Sequence, residues 1–325
     1  MGSAGPGPNR LKKVIAIRQP KVGLALGGGG LRGAAHVGVL KVLQAAGIKI
    51  DAVVGSSGGS MVGALWAAGL SPVEIEHIYH NLPTNLFPAA GCYINLILYI
   101  LQRLGFLRRY ELQGLTLPRG LLRNDFLSAF INRHTKGDSF NQLAIPAAFL
   151  ACDLLSGKDV IFAPEAARSS LWQDRKKQFF FSDQSLGTAV ASSSAIPGLF
   201  LPVRVAGRDL IDGGLKANVP VHLLQAWGTK VIIAVDLGYA VEDSSADTII
   251  QVLLQASDIM GQTISDLRLE ASGAVIIRPQ VGTMNLYDFH RIPEVIDIGA
   301  QAAEQALPEI KRALRQLGCL PPPWF

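Results

Sequence analysis

Residues 22–26, VGLAL, form a short apolar run that passes straight into four glycines, Gly27 to Gly30. A helical pattern then runs from Leu31 to about Ala46 and is closed by Gly47, the residue type that best ends a helix. A second junction of this kind follows. The apolar residues 52–54 enter Gly55-Ser56-Ser57-Gly58-Gly59, and a helical pattern of small residues extends from about Gly58 to Ala68. A strand that turns directly into a helix cannot form a tight hairpin with the next strand. The helix carries the chain back, and the next strand lies parallel to the first. These junctions therefore constrain the fold more than any other feature.

The rest of the chain continues the alternation. Ser71 and Pro72 supply an N-cap and a first-turn proline for a further helix. A helix is expected near 123–134, then the strands IPAAFLACDL and KDVIFA joined at Ser156-Gly157. Residues 165–183 read as a polar, irregular insertion. Ser185 to Ala195 read as helix, LPVRV and RDLI as a strand pair, and KVIIAVDL as a buried strand. A long helix over 246–272, the strand AVIIRP and a helix over 293–317 complete the chain. Nearly half of the 325 residues are hydrophobic, which is ample for one large core. The expected fold is α/β, a three-layer α/β/α arrangement around a mainly parallel sheet. Residues 21–325 read as a single domain, preceded by a flexible basic lead over 1–20.

Charge and cysteines narrow the setting. Only 17% of residues are charged, and no acidic residue precedes Asp51, whereas Arg10, Lys12, Lys13, Arg18 and Lys21 do. A basic leading end favours anionic surfaces. Residues 86–110 hold an apolar stretch too short for a membrane span and followed by Arg103, Arg108 and Arg109. They read as a cap over a pocket or an element at a lipid interface. Cys92, Cys152 and Cys319 have neither metal-binding spacing nor an even count, which suggests a reducing compartment. With no signal-peptide run in the leading residues, a cytoplasmic protein with peripheral membrane association is expected.

Two motifs carry chemistry. Gly28-x-Gly30-x-x-Gly33 matches the local dinucleotide fingerprint, yet the acidic residue that should bind ribose at the end of the second strand is missing. Asp51 lies at that strand's start instead. A loop without β-carbons at a helix N-terminus can also point several N–H groups at one spot, and an oxyanion would fill it. Gly55-Ser56-Ser57-Gly58-Gly59 fits G-x-S-x-G between strand and helix, the setting of a nucleophile elbow centred on Ser57. A nucleophilic serine needs a base. His222 and His290 follow it in the chain, but nothing flanking either would position it, and both read as surface or structural histidines. Asp212, in LIDGGLKANVP, sits in a tight turn before Gly213 and Gly214. A carboxylate can serve as base if burial raises its pKa. An ordinary Asp-Gly hairpin turn is the other reading.

Together these residues resemble the patatin-like phospholipase family, including bacterial members and the esterase domain of neuropathy target esterase. The shared pattern is Gly28-Gly29-Gly30-Leu31-Arg32-Gly33, then Gly55-x-Ser57-x-Gly59, then Asp212-Gly213-Gly214. The segment ASSSAIPGLFLPV, 191–203, is also similar. The resemblance implies a Ser57–Asp212 dyad without histidine, metal or cofactor. It implies an oxyanion hole of Gly28, Gly29, Gly30 and Gly58, with Gly33, Gly55, Gly59, Gly213 and Gly214 shaping the turns. Arg32 would fix the loop, meet a lipid phosphate or pair along its helix. Asp153 reads as structural. The expected substrate is a phospholipid or lysophospholipid at a membrane surface, with no nucleic acid partner. The rival readings are a non-catalytic lipid-binding or regulatory protein on the same fold, an acyltransferase, and a dinucleotide-binding protein.

Overall fold

The structure, a computed structural model, describes residues 21–83, 119–238, 249–282, 284 and 288–318. The basic lead and the cap-like segment 86–110 lie outside the described residues, as do Cys92 and Cys319.

The chain opens with β1 (Val22–Leu26), a 3₁₀ turn over Gly30–Gly33 and α1 (Ala34–Ala45). Next come β2 (Ala52–Ser56), α2 (Gly58–Ala67) and α3 (Pro72–His80). Ser71 caps α3 through a reciprocal capping box with Glu74. The middle of the chain holds β3 (Gly120–Leu122), α4 (Asp125–His134), β4 (Ala147–Asp153), β5 (Asp159–Phe162), α5 (Arg168–Leu171) and β6 (Gln178–Phe181). It continues through α6 (Leu186–Ser193), β7 (Gly198–Phe200), β8 (Val203–Val205) and β9 (Arg208–Asp212). The last elements are α7 (Val221–Ala226), β10 (Val231–Val235), α8 (Ile249–Glu270), β11 (Val275–Ile277) and α9 (Ile292–Gln316).

The main sheet runs β11-β10-β1-β2-β4-β5-β6. From β11 through β4 every pairing is parallel. Strands β1, β2, β4 and β10 are buried along their whole length, which explains why they read as continuous apolar runs rather than alternating ones. The period of two then sorts their side chains. Leu24, Leu26, Val53 and Phe149 pack with α1, α2, α3, α4, α6 and α9 on one face. Ala25, Val54, Leu150 and Ile161 pack with α5, α7 and Leu269 of α8 on the other. Both faces are covered, so the architecture is the expected three-layer one.

Two readings need correction. The segment 165–183 is not an irregular insertion. Its residues 178–181 form β6, which pairs parallel with β5 and extends the sheet. Phe180 stacks on Trp172, and the Arg168 guanidinium lies over both rings. The charged flanks of QFFF mask a strand whose hydrogen bonds come from β5, the strand just before it in the chain. The helix after β1 also starts differently, with one 3₁₀ turn through the glycine-rich stretch before α1 begins. In addition, β3 and β7 form a small separate parallel pair.

The register brings two strand ends together at β4. Strand β2 runs parallel to β4 and ends with Ser56 opposite Leu150. Strand β9 runs antiparallel to β4 and ends with Asp212 opposite Ala151. The other edge of β4 is taken by β5. Strands β2 and β9 therefore share one edge of β4 and meet there head-on, from opposite directions.

Candidate active site

Ser57 is the first residue beyond β2, so the head-on meeting brings it against Asp212. Ser57 Oγ donates to Asp212 Oδ2 at 2.7 Å, across 155 positions of sequence. Both residues are buried. Ser57 has φ 48° and ψ −125°, a conformation that costs a non-glycine residue about 1–3 kcal/mol. Its backbone bonds offset this. The Ser57 N–H donates to Ser193 Oγ at 2.9 Å, and its carbonyl accepts from Ser60 N (2.9 Å) and Ser60 Oγ (2.6 Å). At about 1 kcal/mol each, three such bonds match the strain. The sharp turn also demands Gly59, where any side chain would run into the Leu26 carbonyl, and Gly55 packs against the Gly59 backbone.

Asp212 is held from both sides. Its N–H donates to Ala195 O at 3.0 Å, and its Oδ1 accepts the Gly214 N–H at 2.7 Å. That leaves Oδ2 aimed at Ser57. The neighbouring Gly213 crosses directly over the Leu150 carbonyl, a place no side chain could occupy. Burial pushes the Asp212 carboxyl up to about 6, against the opposing pull of the Gly214 and Ser57 hydrogen bonds. Keeping it charged costs on the order of 3 kcal/mol relative to an exposed carboxylate.

The glycine loop faces this pair. A β-carbon on Gly58 would sit 3.3 Å from Gly30 N and 3.6 Å from Gly29 N, so the elbow and the loop touch there. Among the described residues, the N–H groups of Gly29, Gly30 and Gly58 donate to no other protein group. Gly28 departs from expectation, because its N–H is bonded to Asn218 O at 3.2 Å and holds the loop in place. Gly33 packs against the Gly58 carbonyl. Arg32 reaches Gly29 O (3.4 Å) and Leu237 O (3.5 Å), so it fixes the loop. The N-terminus of α2 adds positive potential at the same point.

A pocket opens beside Ser57. Leu31, Met61, Tyr79, Leu82, Leu127 and Phe200 give it an apolar wall. That lining suits an apolar chain rather than a small polar substrate. No group of three or more His, Cys, Asp or Glu among the described residues is arranged to hold a metal ion.

The remaining candidates fall elsewhere. His222, in α7, lies 3.9 Å from Asp159 and bonds to neither half of the pair. His290 is in a 3₁₀ turn over Phe289–Arg291. Asp153 accepts from Ser156 N and Oγ and closes the β4–β5 turn. Three contributors have no strong signal in the sequence. Ser193 is the middle of three serines in ASSSA. Asn218 follows the aspartate motif. His36 is buried in α1, and its Nε2–H donates to Gly27 O at 2.8 Å. A carbonyl can only accept, so Nε2 carries the proton. Burial pushes its pKa down to about 4.

The patatin-like phospholipase family model matches residues 24–224, a stretch that contains the loop, the elbow and Asp212. The chain belongs to the patatin-like phospholipase family. An uncharacterized NTE family protein of Mycobacterium bovis is 31% identical over 232 residues, covering 71% of this chain and 53% of the relative. Lysophospholipase NTE1 of Coccidioides immitis is 25% identical over 316 residues, covering 89% of this chain and 18% of that protein. The chain thus spans about half the length of the first relative and less than a fifth of the second. The crystal structure of VipD from Legionella pneumophila overlaps 90% of this chain and 67% of its own, with 14% identity and a TM-score of 0.43. That overlap is too loose to bear on the site. Family membership displaces the dinucleotide reading of the glycine loop.

Proposed function

We propose that this chain is a serine lipid acyl hydrolase acting on phospholipids or lysophospholipids through a Ser57–Asp212 dyad. The observation that carries this reading is the buried 2.7 Å hydrogen bond from Ser57 Oγ to Asp212 Oδ2 beside an apolar cavity. Family membership and the similarity to a protein named as a lysophospholipase support the substrate class.

Ser57 Oγ attacks the ester carbonyl carbon while its proton passes to Asp212 Oδ2. The negative charge on the former carbonyl oxygen is met by the Gly29, Gly30 and Gly58 N–H groups, with each such donor worth about 3 kcal/mol of barrier. The intermediate collapses, the alcohol leaves with the proton from Asp212, and an acyl-serine remains. Asp212 then takes a proton from water, which attacks the acyl carbon. The second intermediate collapses, Ser57 Oγ leaves and takes the proton back from Asp212, and the products are a fatty acid and restored Ser57.

Among the described residues no helix is long and apolar enough to cross a membrane. The basic residues before Asp51 would suit peripheral contact with an anionic lipid surface. The test is release of fatty acid from vesicles of lysophospholipid and of diacyl phospholipid. The reading expects release by the wild type and none by Ser57→Ala. Tight vesicle binding with no release by the wild type would favour a non-catalytic lipid-binding role. Transfer of the acyl group to an added lysolipid, in place of free acid, would make it an acyltransferase.

A further inference from the structure

The end of α6 touches both halves of the dyad. Ser193 Oγ donates to Leu150 O at 2.6 Å and accepts the Ser57 N–H at 2.9 Å. Two residues on, the Ala195 carbonyl accepts the Asp212 N–H at 3.0 Å. Leu150 O is itself the atom over which Gly213 crosses. One carbonyl of β4 and one short turn thus seat the serine and the carboxylate together.

A hydroxyl is needed at position 193, since the site asks for a donor toward Leu150 O and an acceptor toward Ser57 N–H at once. Serine and threonine meet both demands with one atom, and alanine meets neither. The contact also reaches the one residue of the pair whose backbone is strained, with φ at 48°. The two neighbouring serines do other work. Ser192 Oγ bonds to Thr188 O within α6, and Ser194 lines the cavity. Ser193 itself is fully buried.

We infer that Ser193 is a positioning residue for the reaction: it holds the amide of Ser57 and so sets the distance between Ser57 Oγ and Asp212. This inference rests on the dyad reading above. Its consequence for pH is specific. Burial and the Asp258 carboxylate push the Asp212 pKa up, while the Gly214 and Ser57 hydrogen bonds pull it down. A Ser57 that drifts away withdraws its share of that pull, and the pH at which Asp212 becomes a base rises.

The test compares wild type, Ser193→Ala and Ser193→Thr by steady-state hydrolysis of a lysophospholipid, over pH 5 to 9. Ser193→Ala is expected to lower kcat by about ten- to a hundredfold with KM within twofold, and to move the acid-limb midpoint upward. Ser193→Thr is expected to recover most of kcat and the wild-type midpoint. Amide hydrogen exchange of the peptide spanning Ser57 reads the same bond in a protein that turns nothing over. It should speed up in Ser193→Ala and return toward wild type in Ser193→Thr. Unchanged exchange in Ser193→Ala overturns the inference whatever the activity. So does a kcat loss with no shift of midpoint, or one matched by an equal loss of folded protein. A wild type with no turnover but Ser193-dependent exchange would instead sink the hydrolase reading and leave the positioning contact standing.

Discussion

The two halves of the site arrive at one point by different means. The serine half is local. Residues 55–60 build the elbow, and Ser60 closes it through its own backbone and side chain. The aspartate half is assembled from afar. Asp212 ends a strand that runs against its neighbour β4, and its N–H is held by Ala195. The serine half carries backbone strain, whereas the aspartate half carries the cost of a buried charge. A serine alone is a poor nucleophile, and a buried carboxylate alone is a liability. The head-on meeting of β2 and β9 lets each offset the other.

Removing either half should break the pair unequally. Ser57→Ala deletes the proposed nucleophile, and hydrolysis should fall by at least about a thousandfold, measured as fatty acid release from lysophospholipid vesicles. Asp212→Asn keeps the shape of the side chain but removes the proposed base, and kcat should drop by about a hundred- to a thousandfold. The same variant separates catalysis from stability. The Asp212 pKa is raised in the folded protein from its ordinary 3.8 to about 6, so the folded state binds this proton more tightly than the unfolded chain does. Stability is then greatest below about pH 4 as far as this group is concerned, and is lost as pH rises toward 6 and above. Asp212→Asn should therefore stabilise the fold by about 1–3 kcal/mol at pH 8, with the gain shrinking toward pH 4, as read by urea unfolding at both pH values.

Smaller effects sharpen the same contrast. Gly213→Ala drives a methyl into the Leu150 carbonyl. It should cost about 1–3 kcal/mol of stability and more than tenfold in kcat, because Asp212 must shift with its neighbour. His36→Phe leaves Gly27 O without its donor, which should cost about 1–2 kcal/mol of stability and tenfold or less in kcat. Thermal unfolding beside initial rates would rank the two.

What could be read from the sequence divides along the same line. The elbow, the glycine loop, β1, β2 and the capped start of α3 all rest on neighbouring residues, whose spacing and turn chemistry are visible in one stretch of text. Asp212 was legible as a motif, but its place opposite Ala151 was not, since a register between strands so far apart leaves no local period. Strand β6 was missed because its partner supplies what its flanks conceal. The glycine motif places Gly28 in the oxyanion hole, but Asn218, far along the chain, takes up its amide. Ser193 meets Ser57 across 136 positions and looked like any other serine in a run.

The central claim is that Asp212 is the base for Ser57. It is tested most directly by the rate of covalent labelling with a fluorophosphonate as a function of pH. The wild type should label at a rate that climbs with pH through a midpoint near 6, while Asp212→Asn labels slowly and without that midpoint and Ser57→Ala does not label. A wild-type rate that is flat from pH 5 to 8, or an Asp212→Asn that labels as fast as wild type, would contradict it.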